Sequence, residues 1–357
     1  MSRAVIIGAG KTGRGFIARL LYEAGADILF IDKNKELVDN LNRLPFEVSF
    51  FGEIRPSVRI DGYRAVTWEE AEIRDDDVIF VSVGGTNLSD VGVQLDKLIG
   101  GREMRIIVCE NAISPAVTLK KAIKNSQCVF VAEATVFCTT VENGKIGILS
   151  ENYPYLQFDA DAFSKGFPEI KGIVPVKQFE HFLTRKLYTY NAASCVIAYL
   201  GHLKGYTLYS DAANDTEILS LIDKNYADTN SALCQEFGYD KEDQEQFALL
   251  SRKKFCDRSI ADDIARNARE PQRKMGADER IMGPLRLIEK YGGDTGVLEK
   301  TLAAMLLYEN EGEKEWQNIK KQKTFPQILT EICGIESGSE LMERILRYAA
   351  NIQENQI

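Results

Sequence analysis

The run Arg3-Ala-Val-Ile-Ile-Gly8 and the loop that continues it, Gly8-Ala-Gly10-Lys-Thr-Gly13-Arg-Gly15, leave this chain few ways to begin folding. A short β-branched stretch ending at glycine suits a buried parallel strand. The residues after the loop place Phe16, Ile17, Leu20, Leu21 and Ala24 on one side of a helix that stops at Gly25. Residues 26–32 then read as a second strand that closes on Asp32, nineteen positions after Gly13. Strand, glycine loop, helix and strand within about 30 residues make a βαβ unit, and such a unit requires a parallel sheet with helices on its faces.

Each glycine of the loop has a physical task. Gly8 permits the tight turn, and Gly10 lets backbone N–H groups, those around Lys11 and Thr12 included, approach a pyrophosphate. Gly13 allows the helix to pack closely on the strand. Phosphates then sit at the positive end of the helix. An acid at Asp32 accepts from a ribose diol and repels a 2′-phosphate, so the loop reads as an NAD site, a preference that Lys33 softens. Strand ends line the binding crevice in such folds. Gly84 and its neighbour Gly85, after one further strand, and Asn111, after another, are therefore candidate cofactor or substrate contacts, and both positions equally suit an ordinary turn.

Residues 48–68 alternate and are rich in turn formers, which predicts an antiparallel hairpin inserted in the α/β order. The parallel rhythm resumes at 78–84, 105–111 and 128–137, so the expected fold class is α/β, a Rossmann-type doubly wound sheet followed by a mainly helical domain. The stretch Gly166-Phe-Pro-Glu-Ile-Lys-Gly-Ile-Val-Pro175 is the expected boundary, giving a dinucleotide-binding domain over 1–175 and a substrate domain over 176–357. The acidic run at 309–315 reads as a solvated turn or helix face.

At 357 residues two domains are expected, and 45% hydrophobic with 27% charged residues describes a globular protein rather than a disordered or fibrous one. A formal charge of −9 argues against nucleic acid or an anionic membrane as the partner. Seven cysteines without a C-x-x-C pair suit a reducing, cytoplasmic setting. Two histidines, His181 and His202, outside any Cys/His cluster, argue against a metal site. No apolar run approaches the ~18 residues of a membrane span.

Past the middle, Lys186-Leu-Tyr-Thr-Tyr-Asn191-Ala-Ala-Ser194 puts an ammonium and a carboxamide inside an apolar, helical segment. Burial disfavours a charged lysine and can turn it into a base near neutral pH; the competing account is a snorkelling lysine and an asparagine that ties helices together. On a regular helix five steps of 100° set Lys186 and Asn191 about 140° apart, so either the lysine uses its long stem or the helix is interrupted. From Arg252 to Lys290 there are eleven Lys/Arg and seven Asp/Glu, net +4, and Arg269, Arg273 and Lys274 are candidates to hold an anionic substrate. The same charges also suit a solvated helix.

Lys186-x4-Asn191-x2-Ser194 resembles the K-x4-N-x2-H signature of the polyol-specific long-chain dehydrogenases. The similarity extends to the opening GAG-x-x-GRGFI, Cys109-Glu110-Asn111, Ala198-Tyr199-Leu200-Gly201 and Arg269-Glu-Pro271-Gln-Arg273-Lys274-Met. The resemblance implies a Rossmann domain followed by a helical substrate domain, an NAD-dependent and metal-independent hydride transfer, Lys186 as general base and Asn191 polarising the reacting oxygen. It implies a polyol phosphate and its keto form as substrates, mannitol 1-phosphate and fructose 6-phosphate being the first pair. Two departures stand out: Ser194 replaces the family's histidine, and residues 133–138 read EATVFC where the family has an Asp-Ser-Ala-Val-Asp-Arg-like run. A hexuronate-type keto acid, or a weakened homologue that binds NAD(H) and a sugar as a sensor, are the alternatives.

Overall fold

The β-branched run near the N-terminus is strand β1, Ala4–Ile7, and all four of its residues are buried, as a central parallel strand requires. The computed structural model describes residues 3–112, 114–164 and 166–355. It comprises two units, Met1–Glu180 and His181–Ile357.

In chain order the first unit continues with β2 (Ile28–Ile31), β3 (Phe46–Phe50), β4 (Val58–Ile60), β5 (Arg64–Val66), β6 (Val78–Val81) and β7 (Met104–Val108). β8 (Val129–Thr135), β9 (Thr140–Asn143), β10 (Gly147–Ser150), β11 (Leu156–Asp159) and β12 (Ile173–Val176) follow. One eight-stranded sheet runs in the order β12-β11-β8-β7-β6-β1-β2-β5. From β8 to β5 all neighbours are parallel. That order, read from β5, is the 3-2-1-4-5-6 order of a doubly wound dinucleotide-binding sheet, with its switch point between β1 and β6. β11 adds antiparallel to β8, and β12 pairs parallel with β11.

The expected hairpin over 48–68 is only part of what that segment builds. Phe46↔Ile60 and Val48↔Val58 are antiparallel partners, so a β3–β4 hairpin exists. Arg64–Val66, in contrast, leaves it to pair parallel with β2 as the sheet's edge. β3 also pairs with β10, which makes a second sheet in the order β4-β3-β10-β9. The buried inward positions Phe46, Val48, Phe50 and Ile148 form its apolar face. Of the Gly/Pro-punctuated stretch at 166–175, the last residues belong to β12, and the division between units falls after Glu180.

The second unit is helical. Its central helix, Ala192–Leu203, has Cys195, Val196, Ile197, Ala198, Tyr199, Leu200 and Gly201 buried. The Tyr199 hydroxyl satisfies itself on the Ala268 carbonyl at 2.9 Å. Thr216–Phe237 packs on this helix; Asp215 caps its start by accepting from the Glu217 and Ile218 N–H groups, and Gly238 in the left-handed region ends it. Gly296–Leu307 and Glu340–Asn355 complete the core around Trp316, which is wholly buried and donates to the Tyr308 carbonyl. Among the described residues no helix is long and apolar enough to cross a membrane. Nor, among them, do three or more His, Cys, Asp or Glu side chains converge as a metal site would.

Candidate active site

At the carboxyl ends of β1 and β6 the first unit holds a cavity of about 760 Å³, lined by Gly8, Gly10, Lys11, Thr12, Asp32, Gly84, Asn87, Glu110 and Asn111 among others. The glycine loop is built to leave it open. A Cβ on Gly8, whose φ is +96°, would lie 2.0 Å from the Ser82 carbonyl oxygen, and one on Gly13 would lie 2.0 Å from the Gly8 oxygen. A Cβ on Gly10 would meet nothing within 4 Å, so free space lies against the loop backbone there. Arg14 braces the loop from behind. Its buried guanidinium donates to the Ala9 carbonyl and to Glu142 at 2.8 Å.

The Asp32 carboxylate accepts from the Ala9 N–H at 2.7 Å and from the Asn34 N–H at 2.8 Å. Each oxygen keeps a further lone pair, so a diol can still be received. Glu110 shapes the opposite wall. One of its carboxylate oxygens accepts from the Val83 and Gly84 N–H groups at 2.5 and 2.7 Å, which fixes the turn after β6. Burial raises its pKa, and those two hydrogen bonds oppose the rise. Asn111, exposed, donates to the Val136 carbonyl at 3.5 Å.

In the second unit the segment around Lys186 is interrupted, the second of the two alternatives that the spacing left open. The α-helix Phe179–Lys186 gives way to a π turn, Leu187–Asn191, in which the Ala192 N–H reaches back five residues to the Leu187 carbonyl before regular helix resumes. A π turn takes ~4.4 residues, so each step is about 82° and Asn191 comes round to within about 50° of Lys186. Asn191 and Ser194 are then i and i+3 on regular helix and share a face. Burial agrees: Lys186, Asn191 and Ser194 are half-buried, whereas Ala192, Ala193 and residues 195–201 are buried.

The turn is held by side chains to which the sequence had assigned no role. Arg185 lies over the rings of Tyr239 and Phe247 and donates to Gln244 at 2.6 Å; Gln244 in turn donates to Thr189, inside the π turn, at 3.1 Å and to Asn230 at 2.8 Å. Arginine and threonine flanking a candidate base were visible, but their common partner lies more than fifty residues downstream.

Lys186 has its pKa pushed down to about 8, chiefly by burial and further by the positive charges of Lys254 and Arg280. The basic candidates named from the sequence go to separate partners. Arg269 is exposed and donates to the Arg266 carbonyl. Arg273 is paired with Glu270 at 2.7 Å and Glu279 at 3.7 Å. Lys274 is buried, donates to the Asn267 carbonyl, and is lowered in pKa by burial. Lys254 and Arg280, which act on Lys186, had been given no role from the sequence. His202, half-buried, packs on the Tyr308 ring at 4.6 Å.

A switch-point crevice in the first unit and a lysine–asparagine–serine stripe in the second define a two-domain dehydrogenase, an oxidoreductase of the polyol type. The family described as Mannitol dehydrogenase C-terminal domain matches residues 178–356, and the chain belongs to that family. Residues 4–155 match the family described as Ketopantoate reductase PanE/ApbA. Relatives named mannitol-1-phosphate 5-dehydrogenase include that of Caldanaerobacter subterraneus subsp. tengcongensis, 28% identical with 97% of each chain covered. That of Emericella nidulans is 26% identical with 99% of each covered. Among solved structures, D-sorbitol dehydrogenase in substrate-free form superposes with a TM-score of 0.79 at 14% identity, over 99% of this chain and 93% of the other. The Pseudomonas fluorescens mannitol 2-dehydrogenase complex with NAD and D-mannitol gives a TM-score of 0.69 at 13% identity, over 99% and 92%. These two likenesses establish the fold.

Proposed function

We propose that the protein is an NAD-dependent dehydrogenase that interconverts a polyol phosphate and its keto form, mannitol 1-phosphate and fructose 6-phosphate being the leading pair. The observation that carries the reading is the π turn, which brings Lys186, with a pKa near 8, onto the stripe of Asn191 and Ser194. Residues 1–175 are assigned to the cofactor and 176–357 to the substrate. Gly8, Gly10, Lys11, Thr12 and Gly13 would hold the pyrophosphate, Asp32 the ribose, and Gly84 and Asn111 the remainder. The open space at Gly10 and the free lone pairs of Asp32 fit such a group.

When bound, the cofactor accepts or donates hydride and nothing else, so the protein must handle the proton. Lys186 Nζ, neutral above pH 8, takes the proton of the substrate hydroxyl in oxidation and returns it in reduction. The Asn191 carboxamide N–H donates to the same oxygen as charge builds on it. In the Asp32 position, Asp32→Ser is expected to raise KM for NADH by about 10-fold and to narrow the preference over NADPH. Steady-state kinetics with both cofactors checks this, and an unchanged ratio would remove Asp32 from the ribose site.

The functional test is NADH oxidation by purified protein with fructose 6-phosphate, fructose, fructuronate and tagaturonate. The expected ranking puts fructose 6-phosphate first. Preference for either keto acid moves the substrate class, and tight NADH binding without turnover on any acceptor rejects the enzyme reading.

A further inference from the structure

Ser194 stands where a titratable donor would be expected, and its hydroxyl already has a partner. The Tyr209 hydroxyl donates to Ser194 Oγ at 3.1 Å. Tyr209 opens the helix Tyr209–Ala213, is 5% exposed and lies against the Phe255 ring at 5.9 Å. Its backbone N–H is held by the Asp262 carbonyl at 3.0 Å, so the phenol enters from a fixed direction. Burial raises its pKa well above the ordinary value, which keeps it a proton-bearing donor.

A serine hydroxyl has one proton and two lone pairs, and a tyrosine hydroxyl has one proton to give. Tyr209 commits that proton to Ser194 Oγ. Among the described residues no protein acceptor takes the proton of Ser194 itself, although a helical serine commonly bonds back to the carbonyl four residues earlier. The Ser194 proton is thus left uncommitted by the protein, and Ser194 shares the half-buried stripe of Lys186 and Asn191.

We propose that Tyr209 is a positioning residue for the reaction: by donating to Ser194 Oγ it aims the Ser194 proton at the substrate oxygen that Asn191 also serves. Ser194 contributes a hydrogen bond and no proton transfer; Lys186 carries the proton in both directions. Donor chains polarise one another, so the Ser194 O–H is a stronger donor with Tyr209 behind it. The inference rests on the placement of Lys186 and Asn191 at the reacting carbon.

Tyr209→Phe, Ser194→Ala and the double variant separate these roles in fructose 6-phosphate reduction. Each single change should lower kcat about 10-fold with KM for NADH within about twofold, and the double should be no slower than Ser194→Ala, because Tyr209 acts only through Ser194. Losses that multiply, or full turnover in Ser194→Ala, overturn the proposal. Should Tyr209→Phe fail to fold, Ser194→Thr decides, since it keeps the hydroxyl and should recover most of the turnover that Ser194→Ala loses; no recovery also overturns it. Site-resolved iodoacetamide labelling of Ser194→Cys needs no substrate. Adding Tyr209→Phe should move its labelling midpoint up by about one pH unit, as a thiolate loses a donor. An unmoved midpoint rejects the contact itself, whereas a moved midpoint in a protein that reduces none of the acceptors leaves the pair intact and faults the functional reading.

Discussion

Lys186→Ala is expected to lower turnover by about 10³-fold while leaving NADH affinity within about twofold, because the glycine loop and Asp32 are untouched by the change. The pH dependence follows from the sign of the role proposed for the lysine. Polyol oxidation needs the neutral amine, so its kcat should climb as pH rises through about 8 and level off above it. Ketone reduction needs the ammonium, so its kcat should hold below about 8 and fall above. Lys186→Arg sharpens the test, since a guanidinium stays protonated throughout and cannot accept the proton in oxidation. Stopped-flow hydride transfer in both directions from pH 6 to 10 measures all of this. Retention of a tenth of wild-type turnover in Lys186→Ala, or flat profiles in both directions, would remove Lys186 from the role of base.

The first unit was readable because its signals are local. Residues 4–7 are uniformly apolar before Gly8, whose Cβ would strike the Ser82 carbonyl, and the parallel sheet follows from that unit and its repeats. β9 and β10 were not readable, since Thr140-Val-Glu-Asn143 is short and mostly exposed and gains its place by pairing with Gly147–Ser150. The same holds for Arg64–Val66, whose parallel partner β2 lies more than thirty residues earlier. In the second unit the lysine–asparagine spacing left either a long-stem reach or a break in the helix, and the structure has the break. What the spacing could not supply was its form, because a π turn is fixed by Thr189 and Arg185 meeting Gln244, a contact between distant helices. Ser194 was legible as a residue out of pattern. Its partner Tyr209, fifteen positions on, was one apolar-looking tyrosine among many until the fold joined them.

Arg280→Gln is expected to raise KM for fructose 6-phosphate about 30-fold and KM for fructose less than threefold. The charge count from 252 to 290 pointed to Arg273, yet that guanidinium is 44% exposed and shared between Glu270 and Glu279. An exposed, already neutralised head offers a phosphate little, because water screens it and its carboxylates must be displaced. Arg280 is far less exposed and has one carboxylate partner where Arg273 has two. Its side chain is 14% exposed, Glu279 at 3.2 Å is its carboxylate partner, and its charge acts on Lys186, Cys195 and Lys274 together. A dianion placed near such a cluster gains from several cations at low effective dielectric, about 4 kcal/mol per unit pair at 4 Å before desolvation is counted. The same substitution should raise the pH midpoint of polyol oxidation, since one of the positive charges that depress Lys186 is gone. Arg273→Ala provides the contrast, with less than a fivefold change in KM for fructose 6-phosphate and no movement of the midpoint. The reverse ranking would return the anchor to Arg273. Equal effects of Arg280→Gln on the phosphorylated and neutral sugars would mean that Arg280 tunes the base alone and that the anion is held elsewhere.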